Sequence, residues 1–157
     1  MLNSSDYPCR ATGHDLLTFS REILSVGVRC TTEMSVLVDT IADRMTEAGY
    51  PWKDVFAVRL ACEEATVNAI KHGNQNYPCK QVFVRFHIDR EFVLIEVQDE
   101  GGGYKPHLVP DPKCNLERPS GRGLLLIQHY ASWVELNEPG NCIRFCKYPS
   151  IPIVADA

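Results

Sequence analysis

The chain has 157 residues, of which 45% are hydrophobic and 23% charged, and its formal net charge is −4. These values are ordinary for a soluble globular protein, and the length suits one domain that buries roughly two-thirds of its unfolded surface. The acidic balance, without a lysine or arginine cluster, argues against a protein that works on nucleic acid or acidic lipid. No apolar run approaches a membrane helix, and residues 1–13 lack the apolar core of a signal peptide, so we expect a cytoplasmic protein.

Seven cysteines are present, an odd number, and none forms a CxxC pair or a Cys/His cluster with zinc spacing. Cys62 and Cys142 stand among apolar residues, where a reduced cysteine behaves as a small hydrophobic side chain. We therefore expect reduced, non-catalytic thiols, with Cys9 and Cys114 exposed enough to crosslink.

The first predicted elements are an edge strand and two helices. Residues 15–26 have a mixed pattern that suits an edge strand. From Thr31 apolar residues recur at steps of three and four until Gly49, which is typical of an amphipathic helix with a glycine end. Pro51 then opens a second helix over about 52–72.

Strands follow the helices. Residues 81–89 and 91–99 alternate apolar and polar side chains and predict an antiparallel hairpin. Residues 100–121 are rich in glycine and proline, 123–131 predict a short helix, and "WVELNE", "PGN" and "CIRFCKY" predict a second hairpin. Because helices and antiparallel strands are partly segregated along the chain, we expect an α+β sandwich with the helices on one face of the sheet.

The second helix carries two adjacent glutamates that its geometry separates. At about 100° per residue, Glu64 and Asn68 lie only about 40° apart, whereas Glu63 lies about 140° from Asn68. Glu63 is instead placed to form a surface ion pair with Arg59, one turn earlier. Glu64 and Asn68 border the buried stripe of the helix, where the alternatives are a solvated edge and a site.

Asp99 and two glycine-rich turns favour a site. Asp99 shares the parity of the apolar residues in its strand, so its carboxylate needs a hydrogen-bond donor. In "EGGG", which follows, Gly101 and Gly103 permit positive φ and close approach of the backbone to a ligand. "SGRG" (120–123) opens a helix and would present N–H groups to an anion. Taken singly, each turn has an ordinary structural explanation.

The ordered set of E-x-x-x-N on a helix, D-x-G-x-G after a strand and G-x-G opening a helix resembles the GHKL family of ATP-binding domains, which includes gyrase, the Hsp90 chaperones, histidine kinases and MutL. Within it, "EEATVNAIKHGN", "DEGGGY" and "SGRGLLLIQHYAS" look most like the small anti-sigma factor serine/threonine kinases, the HATPase_c_2 branch. The resemblance covers about residues 15–148. It implies the Bergerat ATP-binding fold, a two-layer sandwich of a mixed, mainly antiparallel sheet with helices on one face.

The resemblance also implies site roles. Asn68 would coordinate Mg²⁺ bridging the ATP phosphates, and Glu64 would be the general base. Asp99 would accept a hydrogen bond from the adenine amino group, with Gly101 and Gly103 lining the adenine and ribose side.

The resemblance implies that the phosphates of ATP lie at "SGRG", the last of these motifs. Backbone N–H groups around Gly121, Arg122 and Gly123 would hold the β- and γ-phosphates, Leu124 belongs to the same ATP-binding segment, and residues 104–120 would form the ATP lid.

Four side chains have open alternatives. His72 would lie beside the nucleotide in a structural or a catalytic role, with the structural role favoured. Lys71, within about 20° of the candidate base, would reach a phosphate or remain solvated. Pro119 departs from the family's pattern, because it moves Arg118 away from the Ser-Gly pair and leaves Arg122 as a competitor for the γ-phosphate.

The resemblance implies an ATPase domain over 14–148. Residues 1–13 are polar and irregular and are expected to form a flexible arm, and residues 149–157 a C-terminal tail. The resemblance also implies transfer of the ATP γ-phosphate to a serine of an anti-anti-sigma (STAS) protein by a homodimeric anti-sigma factor that also holds a sigma factor inactive. Direct nucleic-acid and membrane partners are not expected. The alternatives are a non-catalytic ATP/ADP-binding switch, which would not need Glu64, and an interaction domain without nucleotide. A sensor histidine kinase or a gyrase or Hsp90 fragment is disfavoured, since neither a phosphoacceptor helix nor transducer regions are recognisable.

Overall fold

The computed structural model describes residues 22–103 and 122–154 of the chain. The expectations for the N-terminal arm (1–13), the lid (104–120), Arg118 and Gly121 fall outside these ranges.

Within the described residues, three helices form one layer. Helix α1 spans Thr31–Ala48, α2 spans Trp52–Asn68 and continues as a π-helical turn over Ala69–Gly73, and α3 spans Gly123–Tyr130. The predicted glycine end of α1 is confirmed.

The end of α1 shows why a glycine stands there. Gly49 adopts a φ of 94°, a left-handed conformation that favours glycine, and its N–H donates to Thr46 O over 3.0 Å. The N–H of Tyr50 donates to Met45 O over 3.0 Å, which closes the helix. Pro51, with a φ of −58°, then leads directly into α2.

In the part of the chain that the structure describes, five strands form the other layer: β1 (Leu24–Val28), β2 (Val82–Ile88), β3 (Val93–Gln98), β4 (Trp133–Leu136) and β5 (Cys142–Lys147). Their order in the sheet is β1-β2-β3-β5-β4, and the four pairings are antiparallel. Both predicted hairpins are therefore confirmed, and β1 lies at an edge of the sheet.

The register of the strands places one apolar face against the helices. Val84 lies opposite Val97, while Ile95 lies between Phe86 and Phe145 on its two neighbours. These side chains join α1, α2 and α3 in one buried core, which confirms the predicted two-layer α+β fold. Its largest fully buried side chains include Ile41, Met45, Val58, Ile95, Ile127 and Phe145.

Residues 149–154 of the predicted tail pack back onto the helices. The backbone N–H and the hydroxyl of Ser150 both donate to Asp54 Oδ2, over 2.7 and 3.0 Å. Ile153 packs against the core beside the end of α1. The hydrogen bonds of Ser150 therefore hold this segment at the start of α2. That end of the helix lies away from Glu64 and Asn68.

Among the helices of the described residues, none combines the length and the apolar character that crossing a membrane would require.

Candidate functional site

The pair at the end of α2 is arranged as the helix phasing predicts. Asn68 Nδ2 donates to Glu64 Oε1 over 3.1 Å, and both side chains are half-buried. On the neighbouring face, Glu63 lies 3.3 Å from Arg59, which also pairs with Asp39 over 2.6 Å. Glu63 therefore belongs to a surface ion-pair network, while Glu64 faces Asn68.

The N-terminus of α3 meets this pair directly. Gly123 is buried, and a Cβ atom built on it would collide with the Glu64 carboxylate and the Asn68 amide. A glycine lets the helix backbone approach these two side chains closely without displacing them. The positive end of the α3 dipole thus lies beside the Glu64 carboxylate, in a position that favours negative charge.

The helix was predicted to run to about residue 72, but its last turn is π-helical. Asn74 N–H donates to Ala69 O over 2.8 Å, which closes a five-residue turn in place of the α-helical four-residue turn. Such turns are frequent at functional sites. Lys71 and His72 are both exposed.

The π-helical turn brings Gly73 against the loop after β3. A Cβ atom on Gly73 would collide with the Asp99 carboxylate, and one on Gly101 would collide with Gly73 O. Gly101 N–H donates to Asp99 Oδ1 over 2.7 Å. The three residues therefore form one closely packed unit at the carboxyl end of β3, which we call the β3-end unit (Gly73, Asp99 and Gly101).

The Asp99 carboxylate is partly desolvated. It is half-buried, and burial raises the pKa of its carboxyl group above the ordinary aspartate value, against the opposing effects of the Gly101 N–H and the charge of Lys80. A partly desolvated carboxylate of this kind gains from a neutral hydrogen-bond donor such as an aromatic amino group.

Asn74 is a site-supporting residue that sequence reasoning did not assign. It is buried, its Nδ2 donates to Gln81 O over 2.9 Å, and its Oδ1 accepts from Glu100 N–H over 2.8 Å. Its position directly after His72 and Gly73 is the feature of the sequence that could have indicated this role. Asparagine often forms hydrogen bonds to backbone groups where a helix ends in a turn.

The glycine-rich loop continues to Gly103, whose φ is 93°. A Cβ atom there would collide with the backbone of Pro139 in the turn between β4 and β5. Gly103 is thus packed against protein, while its predicted contact with the nucleotide stays a prediction.

The remaining predicted residues lie at α3. Arg122 is the N-cap residue, with φ −92° and ψ −19°, and Leu124 lies in the first turn. The structure therefore brings Glu64, Asn68 and the α3 N-terminus together, with the β3-end unit one helical turn further along the same helix. We call the first group the α2–α3 junction (Glu64, Asn68 and Gly123).

The chain is similar to a known family of domains and to individual known proteins. The family model described as the histidine kinase-like ATPase domain matches residues 30–147. The serine-protein kinase RsbW of Staphylococcus aureus is 27% identical over 125 residues, which cover 73% of this chain and 79% of that protein. The RsbW of Staphylococcus epidermidis gives the same identity and coverage. The anti-sigma F factor of Oceanobacillus iheyensis is 27% identical over 101 residues, covering 61% of this chain and 68% of that protein.

Proposed function

The chain belongs to the histidine kinase-like ATPase domain family, and we propose that it is an ATP-dependent serine/threonine protein kinase that also acts as an anti-sigma factor. Membership of the family implies use of ATP. Similar proteins carry the names serine-protein kinase and anti-sigma F factor. The observation that carries the proposal is the α2–α3 junction, where Glu64 and Asn68 lie against a helix N-terminus at Gly123.

ATP binding is proposed to use both ends of this region. The purine amino group would donate to Asp99, whose carboxylate is partly desolvated and held by Gly101. The triphosphate would extend towards α3, where the first N–H groups of the helix lack intrahelical acceptors and attract anions. Gly121, Arg122 and Leu124 are assigned to ATP binding in this segment, and either Arg118 or Arg122 is assigned to the γ-phosphate.

The residues present fit a magnesium ion. Oxygen ligands are preferred by Mg²⁺, which commonly takes one or two of them from protein and the others from phosphates and water. Because Nδ2 of Asn68 donates to Glu64, Oδ1 is the atom of that amide left to act as a ligand. When bound, Mg²⁺ would neutralise charge on the phosphates.

Glu64 is assigned as the general base. Its carboxylate would accept the proton of an incoming serine hydroxyl while that oxygen attacks the γ-phosphorus. The bond between the γ-phosphorus and the bridging oxygen breaks, and ADP leaves with the bond electrons. Asn68 orients the carboxylate through the 3.1 Å hydrogen bond, and the α3 N-terminus stabilises negative charge on the transferring group. Lys71 and His72 are assigned to the nucleotide border, outside the packed site.

The acceptor is proposed to be a serine on a STAS-domain anti-anti-sigma protein, with a sigma factor as the second protein partner. The names of the similar kinases and of the anti-sigma F factor support this assignment. Homodimerisation and a cytoplasmic location complete the proposal. A lid over 104–120 and the domain bounds 14–148 are proposed on the same family grounds, and a flexible arm over 1–13 is proposed from its polar, irregular sequence.

The proposal is tested by incubating the protein with Mg-ATP and a STAS protein encoded near it, and measuring the acceptor by mass spectrometry. We expect one phosphoryl group on one serine, and none on an acceptor in which that serine is alanine. Absence of transfer by protein that demonstrably binds ATP would contradict the kinase assignment and leave a non-catalytic switch.

A further inference from the structure

We propose that Asn74 is a positioning residue that sets the base selectivity of the nucleotide site by fixing the orientation of Asp99. The inference rests on the proposed function in one respect, the assignment of Asp99 to the purine amino group. Asn74 itself lies behind the β3-end unit.

Asn74 uses all of its polar groups to join three segments. It is 2% exposed, its N–H donates to Ala69 O over 2.8 Å, and its carbonyl accepts from Tyr77 N–H over 3.0 Å. Its side chain donates to Gln81 O over 2.9 Å and accepts from Glu100 N–H over 2.8 Å. A buried amide with these partners has one orientation, because any other would leave polar atoms unsatisfied.

A closed ring of three hydrogen bonds surrounds this amide. Asn74 donates to Gln81 O, Gln81 N–H donates to Glu100 Oε2 over 2.6 Å, and Glu100 N–H donates back to Asn74 Oδ1. Each residue of the ring donates one hydrogen bond and accepts one. The ring therefore holds the start of β2 and the loop after β3 at a fixed separation.

Both peptide groups that flank Asp99 are held by hydrogen bonds, and the ring provides one of them. The peptide on its amino side is held by the residue before β5, since Asp99 N–H donates to Asn141 O over 2.9 Å. The peptide on its carboxyl side carries the Glu100 N–H, which bonds to Asn74. With both peptides fixed, the direction of the Asp99 Cα–Cβ bond is fixed, and the Gly101 N–H then orients the carboxylate through Oδ1.

A fixed carboxylate discriminates between purines. It accepts a hydrogen bond from an exocyclic amino group, as in adenine, and repels a carbonyl oxygen at the same position, as in guanine. A carboxylate able to rotate away loses the bond to adenine and relieves the repulsion from guanine. Loosening Asp99 thus lowers ATP affinity while GTP affinity stays similar or rises.

The test compares ATP and GTP affinities of the full chain, by calorimetric titration at a temperature well below unfolding. In Asn74→Ala we expect ATP affinity to fall about 10-fold, with a matching fall in the ATP-over-GTP ratio. Glu100→Ala opens the same ring from an exposed side chain and should lower the ratio in the same direction, which keeps the inference testable if the first variant folds poorly.

Asp54→Ala is the matched control. Asp54 is also 2% exposed and also bonds to a distant segment, through Ser150, but it lies 14 residues before Asn68 on α2, about 20 Å along the helix. This control should lower the melting temperature without changing the nucleotide ratio. If Asn74→Ala and Glu100→Ala both fold and both keep the wild-type ATP-over-GTP ratio, the role of Asn74 is overturned, while the assignment of Asp99 stands. A wild-type protein without preference for ATP overturns this inference together with the assignment of Asp99.

Discussion

The separation of Glu63 from Glu64 is a property of single residues that helix geometry predicts. Two adjacent positions on a helix point in different directions, so one glutamate pairs with Arg59 and the other with Asn68, as the structure shows. The contact of Gly123 with Glu64 and Asn68 could not be predicted in the same way. It joins residues more than 50 positions apart, and no local pattern specifies which side chains a helix N-terminus will face.

Gly123→Ala tests that contact. The added Cβ collides with the ends of two flexible side chains, so we expect a folded protein in which the Glu64–Asn68 pair is displaced. Displacement on the scale of 1 Å can lower a rate about 100-fold, and we expect phosphotransfer to fall by about that factor. Gly102→Ala is the matched control, because a Cβ there meets nothing within 4 Å. Equal activity of the two variants would contradict the account.

Asp99→Asn should stabilise the protein in the absence of nucleotide. Because burial raises the pKa of Asp99 in the folded state, the ionised carboxylate is disfavoured there relative to the unfolded chain. Its contribution to stability is present below the unfolded pKa of about 3.9 and is lost as pH rises through the folded pKa. The variant should therefore melt at a higher temperature than wild type at pH 7.

The pH dependence supplies the control for this prediction. The difference in melting temperature should shrink as the pH falls towards 3, where the wild-type carboxyl group is protonated as well. The same substitution should lower ATP affinity, because a neutral amide accepts a hydrogen bond from the purine amino group less strongly than a carboxylate does. A variant less stable than wild type at pH 7 would contradict the desolvation of Asp99.

At the scale of elements, hydrophobic periodicity predicts α1, α2, α3 and both hairpins to within a few residues. The π-helical turn over Ala69–Gly73 was not predicted, because the apolar residues there suit an α-helical or a wider turn equally. The choice is made by tertiary packing, which brings Gly73 onto Asp99 and buries Asn74.

The loop between α1 and α2 is joined to the β2–β3 hairpin by one hydroxyl group. Tyr50 Oη donates to Asp89 O over 2.8 Å, and burial raises the pKa of Tyr50, which keeps the hydroxyl protonated as a donor. Tyr50→Phe should lower the free energy of unfolding by about 1 kcal/mol, measured by urea titration, and leave ATP affinity unchanged. The exposed Tyr77 gives the control, since Tyr77→Phe should have no measurable effect; equal losses in both variants would contradict the link.

At the scale of the whole molecule, the order of helices and strands predicts an α+β sandwich, and the structure confirms it. The strand order β1-β2-β3-β5-β4 cannot be predicted from the sequence pattern. Alternation of apolar and polar residues shows which face of a strand is buried, but it does not show which strands pair with each other. That order places β5 beside β3, so that Asn141 can fix the backbone of Asp99.

The distribution of thiols over the fold predicts which cysteines react. Burial raises the pKa of Cys62 and Cys146 to about 12 and that of Cys142 to about 11, and the thiolate is the reactive form. Among the thiols of the described residues, iodoacetamide at pH 8 should therefore modify the exposed Cys30 and Cys79 first, as read by peptide mass spectrometry.

Unfolding in denaturant provides the reference for this experiment, because all described thiols should then react at similar rates. Rapid modification of Cys62 in the native protein would contradict its burial in the core.

The central claim is that Glu64 provides the base and Asn68 the metal-binding oxygen for phosphoryl transfer. It is tested most directly by single-turnover transfer from Mg-ATP in Glu64→Gln and Glu63→Gln, with ATP affinity measured on the same samples. We predict that Glu64→Gln binds ATP with near wild-type affinity and transfers at least about 100-fold more slowly, whereas Glu63→Gln retains both properties. Loss of transfer in Glu63→Gln, with Glu64→Gln active, would contradict the assignment.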